Sequence, residues 1–256
     1  EMDNASLVRI YSEDRTLCES FLFKVPSEFS SIKKELNESL TKALFSDRVL
    51  LIEGPSEKAL FEKVLSVIKP TYELDGGYIL LVDGIKFKPY FDILKSLNII
   101  PIVKTDNDLK AKKGNKTLFD PIGFNRCCKL INQENLDEIE IDYSCTDKDG
   151  KSTWLVQRKN KLVFEKKKEL YNQYKEVLSN FEKNNIFLSR VDLENDLYEV
   201  IPDQLKKVFG EIDQVKSLQD KKLLNMLKLI DDLTNLNCLK IFNHDRFKAL
   251  KKLVGD

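Results

Sequence analysis

Three pairs of acidic side chains pose the chemical question. Glu53 and Glu57 lie on either side of Gly54-Pro55-Ser56, Asp106 and Asp108 bracket Asn107, and Asp192 and Glu194 bracket Leu193. In extended chain alternate side chains share a face, so an Asp-x-Asp puts both carboxylates on one side. Carboxylates crowded into a low-dielectric crevice repel one another, and holding them there is costly unless protons or cations neutralise them. Hard divalent metals meet that need: Mg²⁺ takes oxygen ligands, keeps several waters, and is usually held by one or two carboxylates beside substrate phosphates. Two such ions about 4 Å apart activate a water and stabilise the leaving oxygen of an in-line phosphoryl displacement. A positive side chain beside them would stabilise charge in the transition state. The single histidine, His244, gives a histidine-based mechanism little support. Plainer explanations exist for each pair, because Glu-Gly after a strand is a common turn and Asp192 with Glu194 can cap a helix. Chemistry is favoured by the shared placement of all three pairs behind predicted strands.

The elements that must position these acids are legible as an alternation. Arg48-Val-Leu-Leu-Ile-Glu53 is an unbroken apolar run, as expected of a strand buried on both faces. A helix through Leu60, Val64 and Val67 follows, with Ser56 as its cap. Tyr78–Val82 and a helix from about Lys88 to Leu97 repeat the pattern, and so do Ile99–Val103, a polar loop and a helix near Phe124–Leu130. This predicts an α/β fold with a Rossmann-like, doubly wound parallel sheet flanked by helices, plus a C-terminal helical region. Ligands of such sheets sit at the carboxyl ends of the strands, where the connections change direction. Pro101 argues against a central place for the third strand.

Beyond this core, Glu138–Tyr143 alternates as a further strand, and 146–153 reads as an exposed turn. Residues 162–182 form one long amphipathic helix with Lys166, Lys167 and Lys168 facing water. Ile186-Phe-Leu-Ser189 is a short strand, and three helices are expected around 195–209, 220–234 and 245–253, with Leu223, Leu227 and Ile230 as a core stripe or a partner surface. At the front, Ser6–Tyr11 and Phe21–Val25 read as strands about a polar turn with Glu13 and Asp14. Ile32, Leu36, Leu40 and Leu44 mark a helix over 30–45.

Composition bounds the class. The 256 residues suffice for one large domain or one domain with an appendage, and 42% hydrophobic content excludes global disorder. No apolar run approaches the ~18 residues of a membrane span, and no signal peptide is seen at the front, so a soluble cytoplasmic protein is expected. With 42 Lys+Arg against 42 Asp+Glu, a globally basic nucleic-acid coat is excluded, leaving local patches only. Lys110, Lys112, Lys113 and Lys116 form one, and Arg158, Lys159 and Lys161 another. Beside a metal site such groups bind phosphates; otherwise they are solvated charge. The cysteines (Cys18, Cys127, Cys128, Cys145 and Cys238) lack any C-x-x-C, which points to reduced, buried thiols. Starting at Glu1 rather than Met, the chain reads as a fragment of a longer protein.

Leu50-Leu-Ile-Glu-Gly-Pro-Ser-Glu-Lys58 and Lys104-Thr-Asp-Asn-Asp-Leu-Lys110 resemble the two signature segments of a Toprim domain, in the form found in OLD (overcoming lysogenisation defect) nucleases. Asp192-Leu-Glu-Asn-Asp-Leu-Tyr198 and Leu218-Gln-Asp-Lys-Lys-Leu-Leu-Asn-Met226 resemble the later acidic and lysine segments of Gabija anti-phage nuclease subunits, and Leu7-Val-Arg-Ile10 resembles the end of their ATPase domain. The resemblance implies that 1–46 ends an upstream ATPase domain or linker, and that 47–256 is a Toprim nuclease domain with a helical insertion and C-terminal helices. It implies a metal-dependent DNA endonuclease of phage defence using Mg²⁺ or Mn²⁺, with two ions. Glu53, Asp106, Asp192 and Lys222 would be catalytic, with Lys221 as the adjacent alternative to Lys222. Glu53, Glu57, Asp106, Asp108, Asp192 and Glu194 would hold metal. Double-stranded DNA, a second copy of the chain and a helicase-like Gabija subunit are the implied partners. No G-x-x-x-x-G-K-[ST] occurs, so nucleotide binding is not expected of these 256 residues. Asp83-Gly84-Ile85-Lys86 departs from the Gly-Gly turn of relatives. The competing reading is a non-catalytic Toprim-like module for oligomerisation or docking, which would not bind Mg²⁺. A primase- or topoisomerase-like Toprim protein ranks lower, since neither a tyrosine-bearing cleavage domain nor a primase zinc domain is present.

Overall fold

The computed structural model describes residues 6–12, 18–24, 38–82, 86–146, 152–154 and 156–256. The turn at Glu13 and Asp14, the start of the 30–45 helix and Asp83-Gly84-Ile85 lie outside the described residues. β1 (Ser6–Ser12) and β2 (Cys18–Lys24) form an antiparallel hairpin, and α1 (Glu38–Leu44) leads into the main sheet.

β3 (Arg48–Ile52), α2 (Pro55–Ile68), β4 (Gly77–Leu81), α3 (Phe87–Ser96) and β5 (Ile100–Thr105) follow as the alternation predicts. β3 is parallel to both β4 and β5, and β5 also pairs with a late strand at 186–188. The chain steps from β3 to one neighbour and then crosses to the other side, so winding reverses between β3 and β5. That switch point opens a crevice at their carboxyl ends. β3 is apolar from Val49 to Ile52 because both faces are buried there. Leu50 and Ile52 feed one core with Leu60, Phe61 and Val64, whereas Val49 and Leu51 feed the opposite core with Phe91, Leu94, Phe124 and Phe181.

Contrary to the reading of Pro101, β5 is central. Val103 N–H donates to the carbonyl of Asn185, so odd-numbered amides of β5 face the late strand, which begins only opposite Val103. At position 101 there is no partner carbonyl to miss, and the missing proline N–H costs no ladder bond. The polar loop expected after β5 is also a correction: β6 (Lys110–Lys112) and β7 (Asn115–Asp120) pair antiparallel about Gly114, whose φ is +87°. α4 (Ile122–Leu130) follows, and β8 (Ile139–Glu140) extends this small sheet. The alternation of Glu138–Tyr143 yields only that two-residue strand, with Ile141 and Tyr143 buried against Phe119. β9 (Ser144–Thr146) and β10 (Ser152–Trp154) pair where an exposed turn is expected, the residues between them lying outside the described ones.

The long helix is two helices, α5 (Val156–Gln173) and α6 (Lys175–Lys183), broken at Tyr174, whose ring packs on Phe124 at 5.7 Å. β11 (Ile186–Leu188) completes the sheet in the order β11-β5-β3-β4. The helix expected over 195–209 is also two, α7 (Leu193–Val200) and α8 (Pro202–Phe209), because Ile201 precedes a proline and is driven out of helical geometry (φ −132°, ψ 50°). α9 (Gln214–Gln219), α10 (Lys222–Asp231), α11 (Asn235–Asn243) and α12 (Lys248–Val254) close the chain. On α10 the core face is Met226 and Leu229; Leu223 and Leu227 are exposed, and Ile230 packs at the margin. Cys127, Cys128 and Cys238 are free and buried. No described helix is long and apolar enough to cross a membrane.

Candidate metal and catalytic site

The corner between β3 and α2 is built by Glu57. Pro55 opens the helix, and Oε2 of Glu57 accepts from the N–H of Glu53 at 2.9 Å and of Gly54 at 2.7 Å. A carboxylate at this third helical position satisfies amides that no helical carbonyl reaches. It replaces Ser56, the expected cap, which is buried inside the first turn. Burial pushes the Glu57 carboxyl up to about 7; the Gly54 amide opposes it, Glu53 repulsion adds to it, and Lys104 and the Glu53 amide pull it down. Glu53 stands just beyond the strand end. Its Oε1 accepts from Thr105 Oγ1 at the end of β5 and from Arg126 Nη1 on α4.

The Asp106-Asn107-Asp108 loop leaves β5 pinned by its middle residue. Buried Asn107 donates Nδ2 to the carbonyls of Lys167 (3.0 Å) and Arg190 (3.1 Å), and its N–H to the carbonyl of Val191 at 3.1 Å. With Asn107 turned into the protein, Asp108 lies toward two cations, 3.4 Å from Lys167 Nζ and 3.6 Å from Arg126 Nη2. Lys167 therefore does not face water as the helical pattern suggested; α5 lies over the loop, and the side chain, 12% exposed, reaches into the site. α4 approaches the loop so closely that a Cβ on Gly123 would lie 2.5 Å from the Asp106 carbonyl oxygen and 2.6 Å from the Asp108 nitrogen. Only glycine fits there. Asp106 Oδ1 is buried and has no hydrogen-bond partner. Burial first, then the charges of Glu57, Asp192, Asp108 and Glu194, raise its carboxyl well above the usual range.

α7 brings the third pair. Asp192 is its N-cap: Oδ1 accepts from the N–H of Asn195 at 2.9 Å, and Oδ2 from Gln219 Nε2 at 3.0 Å. Glu194 is 2% exposed, with Oε1 3.3 Å from Lys222 Nζ and Oε2 buried without a partner. Burial raises its carboxyl, Lys222 opposes that, and Asp192 adds to it. Burial lowers the Lys222 ammonium, but Glu194, Asp106 and Asp192 outweigh it, so the net shift is upward. Lys221 takes the left-handed conformation (φ 51°) just before α10 and is exposed, leaving Lys222 as the first helical residue.

The sheet thus carries all six acids to one edge, Lys222 joins Glu194, Asp106 and Asp192, and Arg126 links Glu53 to Asp108. Among the described residues no three His, Cys, Asp or Glu side chains stand close enough together to hold a metal ion as they are. Sequence reasoning missed Arg126, Thr105 and Lys167, and it missed Lys104, a buried cation 2.8 Å from Asp196. Lys104 and Thr105 sit within the quoted motif; nothing in the spacing of Gly123-Phe-Asn-Arg126 signals the other cation. Of the expected basic clusters, Lys112 pairs with Glu138, and Lys159 lies over the rings of Phe119 (5.6 Å) and Tyr143 (5.8 Å). An open groove of about 1300 Å³ runs beside the acids with walls of mixed charge, Lys168, Arg190 and Lys216 against Asp196, Glu199, Asp213 and Asp220.

Residues 44–108 match the family model described as "Overcoming lysogenization defect protein-like, TOPRIM domain". The whole chain is 47% identical over 255 residues to Endonuclease GajA of Bacillus cereus (strain VD045) and spans 43% of that protein's length. Among solved structures, the C-terminal region of the Xanthomonas campestris pv. campestris OLD protein matches at 16% identity with a TM-score of 0.42, over 82% of this chain and 94% of that one. The C-terminal region of the Burkholderia pseudomallei OLD protein matches at 17% identity with a TM-score of 0.39, over 82% and 88%.

Proposed function

We propose that the chain, whose residues 44–108 match the OLD-like Toprim model and which is 47% identical to the part of Endonuclease GajA that it spans, is the nuclease part of an anti-phage endonuclease that hydrolyses DNA phosphodiesters with divalent metal. The observation that carries the reading is Asp106, on the edge where the sheet reverses its winding: its buried Oδ1 has no partner, and the charges of Glu57, Asp192, Asp108 and Glu194 act on it. Glu194 Oε2 is likewise buried without a partner, whereas the unpartnered Asp196 Oδ1 belongs to an acid already paired with Lys104. Buried polar atoms are rarely left unpaired, and hard oxygen donors of this kind suit Mg²⁺ or Mn²⁺.

Glu53, Asp106, Asp108 and Glu194 would hold the ions, with Glu57 and Asp192 assisting through the lone pairs not engaged by their caps. When bound, a pair of such ions supplies a hydroxide nucleophile at neutral pH and neutralises charge on the leaving oxygen. Lys222, more than half exposed and anchored at Glu194, would meet the scissile phosphate and stabilise the charge that builds on it. Residues 1–46 would close an upstream ATPase domain, and a second copy and a helicase-like Gabija subunit would complete the assembly.

Asp106→Asn tests the reading. Calorimetric titration should show Mn²⁺ bound by the wild type and at least about tenfold more weakly by the variant, with metal-dependent cleavage of duplex DNA lost. Normal cleavage by the variant rejects the assignment.

A further inference from the structure

Arg126 is 7% exposed in its side chain and touches both halves of the motif. Its Nη1 donates to Glu53 Oε1 and to Thr105 Oγ1, its buried Nη2 lies 3.6 Å from Asp108 Oδ2 without a hydrogen bond, and the ring of Phe87 lies 5.9 Å from its Cζ. Thr105 donates to the same Glu53 oxygen. Two donors therefore converge on Oε1, and among the described residues no hydrogen bond engages Oε2. Gly123 fixes where the guanidinium starts from, because the contact it permits seats α4 directly on the Asp106–Asp108 backbone.

We propose that Arg126 is a positioning residue for the metal site: with Thr105 it locks Glu53 by one oxygen and leaves the other open toward the cation, while its second nitrogen adds only charge beside Asp108. The inference rests on the metal-dependent reading above and adds a residue to it. A bare guanidinium next to two ligands repels an incoming cation, so on Coulombic grounds alone its removal should tighten metal binding. Positioning works in the opposite direction. Partners that orient a ligand typically cost about 10- to 100-fold in metal affinity when removed. The sign of the change in affinity decides between the two.

The experiment is calorimetric titration of Mn²⁺ into the wild type, Arg126→Gln, Arg126→Lys and Thr105→Val, with a circular-dichroism melt of each. Arg126→Gln should bind Mn²⁺ at least about tenfold more weakly, Arg126→Lys should recover part of the loss, and Thr105→Val should lose several-fold by leaving Oε1 to one donor. Affinity that is unchanged or tighter in a folded Arg126→Gln overturns the proposal. Should that variant not fold, unchanged affinity in Thr105→Val and Arg126→Lys overturns it equally. A wild type that binds no Mn²⁺ overturns the metal reading itself, and this inference with it.

Discussion

Asp196 and Asp106 are both acids at the same sheet edge, and the protein treats them oppositely. Asp196 is 1% exposed, and its Oδ2 accepts from Lys104 Nζ at 2.8 Å. The same ammonium donates to Ser189 Oγ at 2.7 Å, and Arg246 Nε stands 3.9 Å from the other Asp196 oxygen. Asp106 has four carboxylates acting on it and, among the described residues, no cation within salt-bridge distance; each acid has one buried oxygen without a hydrogen bond, Asp106 Oδ1 and Asp196 Oδ1, so the counter-charge is what separates them. The two arrangements interleave along the chain: Lys104 precedes Asp106 by two residues, and Asp196 follows Glu194 by two. Alternate residues of one strand end and one helix start thus go to opposite uses. An acid whose counter-charge is built in is framework. An acid left without one is a place for a cation to arrive.

The largest effect is expected on the framework side. Lys104→Met removes one member of a buried pair and leaves Asp196 uncompensated, which should destabilise the protein by about 3–5 kcal/mol in urea unfolding. Lys104→Met with Asp196→Leu should recover most of that loss, because replacing a whole buried pair with apolar groups is often nearly neutral. If the single and double variants unfold alike, the contrast between the two acids is wrong.

How much of this was legible in the sequence follows from which interactions are local. The parallel sheet was readable because β3 is apolar from Val49 to Ile52 without alternation, and the acids were readable because each pair follows a strand end. Arg126 was not, since its partners Glu53 and Thr105 are 73 and 21 residues away and no spacing rule connects them. Lys167 looked solvated because a helical wheel knows nothing of the loop that α5 covers. The β6–β7 hairpin hid among lysines, whose charge reads as loop although Gly114 marks the turn. Pro101 misled for the converse reason: a proline disqualifies a central strand only where a neighbour needs its N–H, and the short β11 does not reach that far.

A smaller effect, read by pH, tests the acids on the side left for a cation. Glu57 is raised from 4.5 to about 7, chiefly by burial, and Asp106 is shifted in the same direction. Over that interval the folded state holds a proton on Glu57 that the unfolded state has released, so the stability Glu57 contributes is complete below about 4.5 and is lost as pH rises through about 7. Urea unfolding at pH 5 and pH 8 without divalent ions should show a decline that Glu57→Gln lessens by an amount on the order of 1–3 kcal/mol. Added Mn²⁺ should restore stability at pH 8 in the wild type. A pH dependence unchanged in Glu57→Gln would mean that this carboxyl is not held against its ionised form.

The smallest change in stability, and the sharpest in function, belongs to the two adjacent lysines. Lys222 is 56% exposed at its contact with Glu194, so its loss should alter stability by no more than about 1 kcal/mol. The same loss removes the one cation within salt-bridge distance of Glu194, among the described residues, and the charge proposed to meet the phosphate. Lys222→Ala should therefore slow DNA cleavage by about 10²-fold or more while Mn²⁺ affinity holds or tightens, because a repelling charge has gone. Lys221 spends its backbone on the left-handed turn before α10 and is exposed, so Lys221→Ala should change neither quantity. A cleavage defect in Lys221→Ala with normal rates in Lys222→Ala would shift the role by one residue. A loss of Mn²⁺ binding in Lys222→Ala would instead make that lysine, like Lys104, part of the framework.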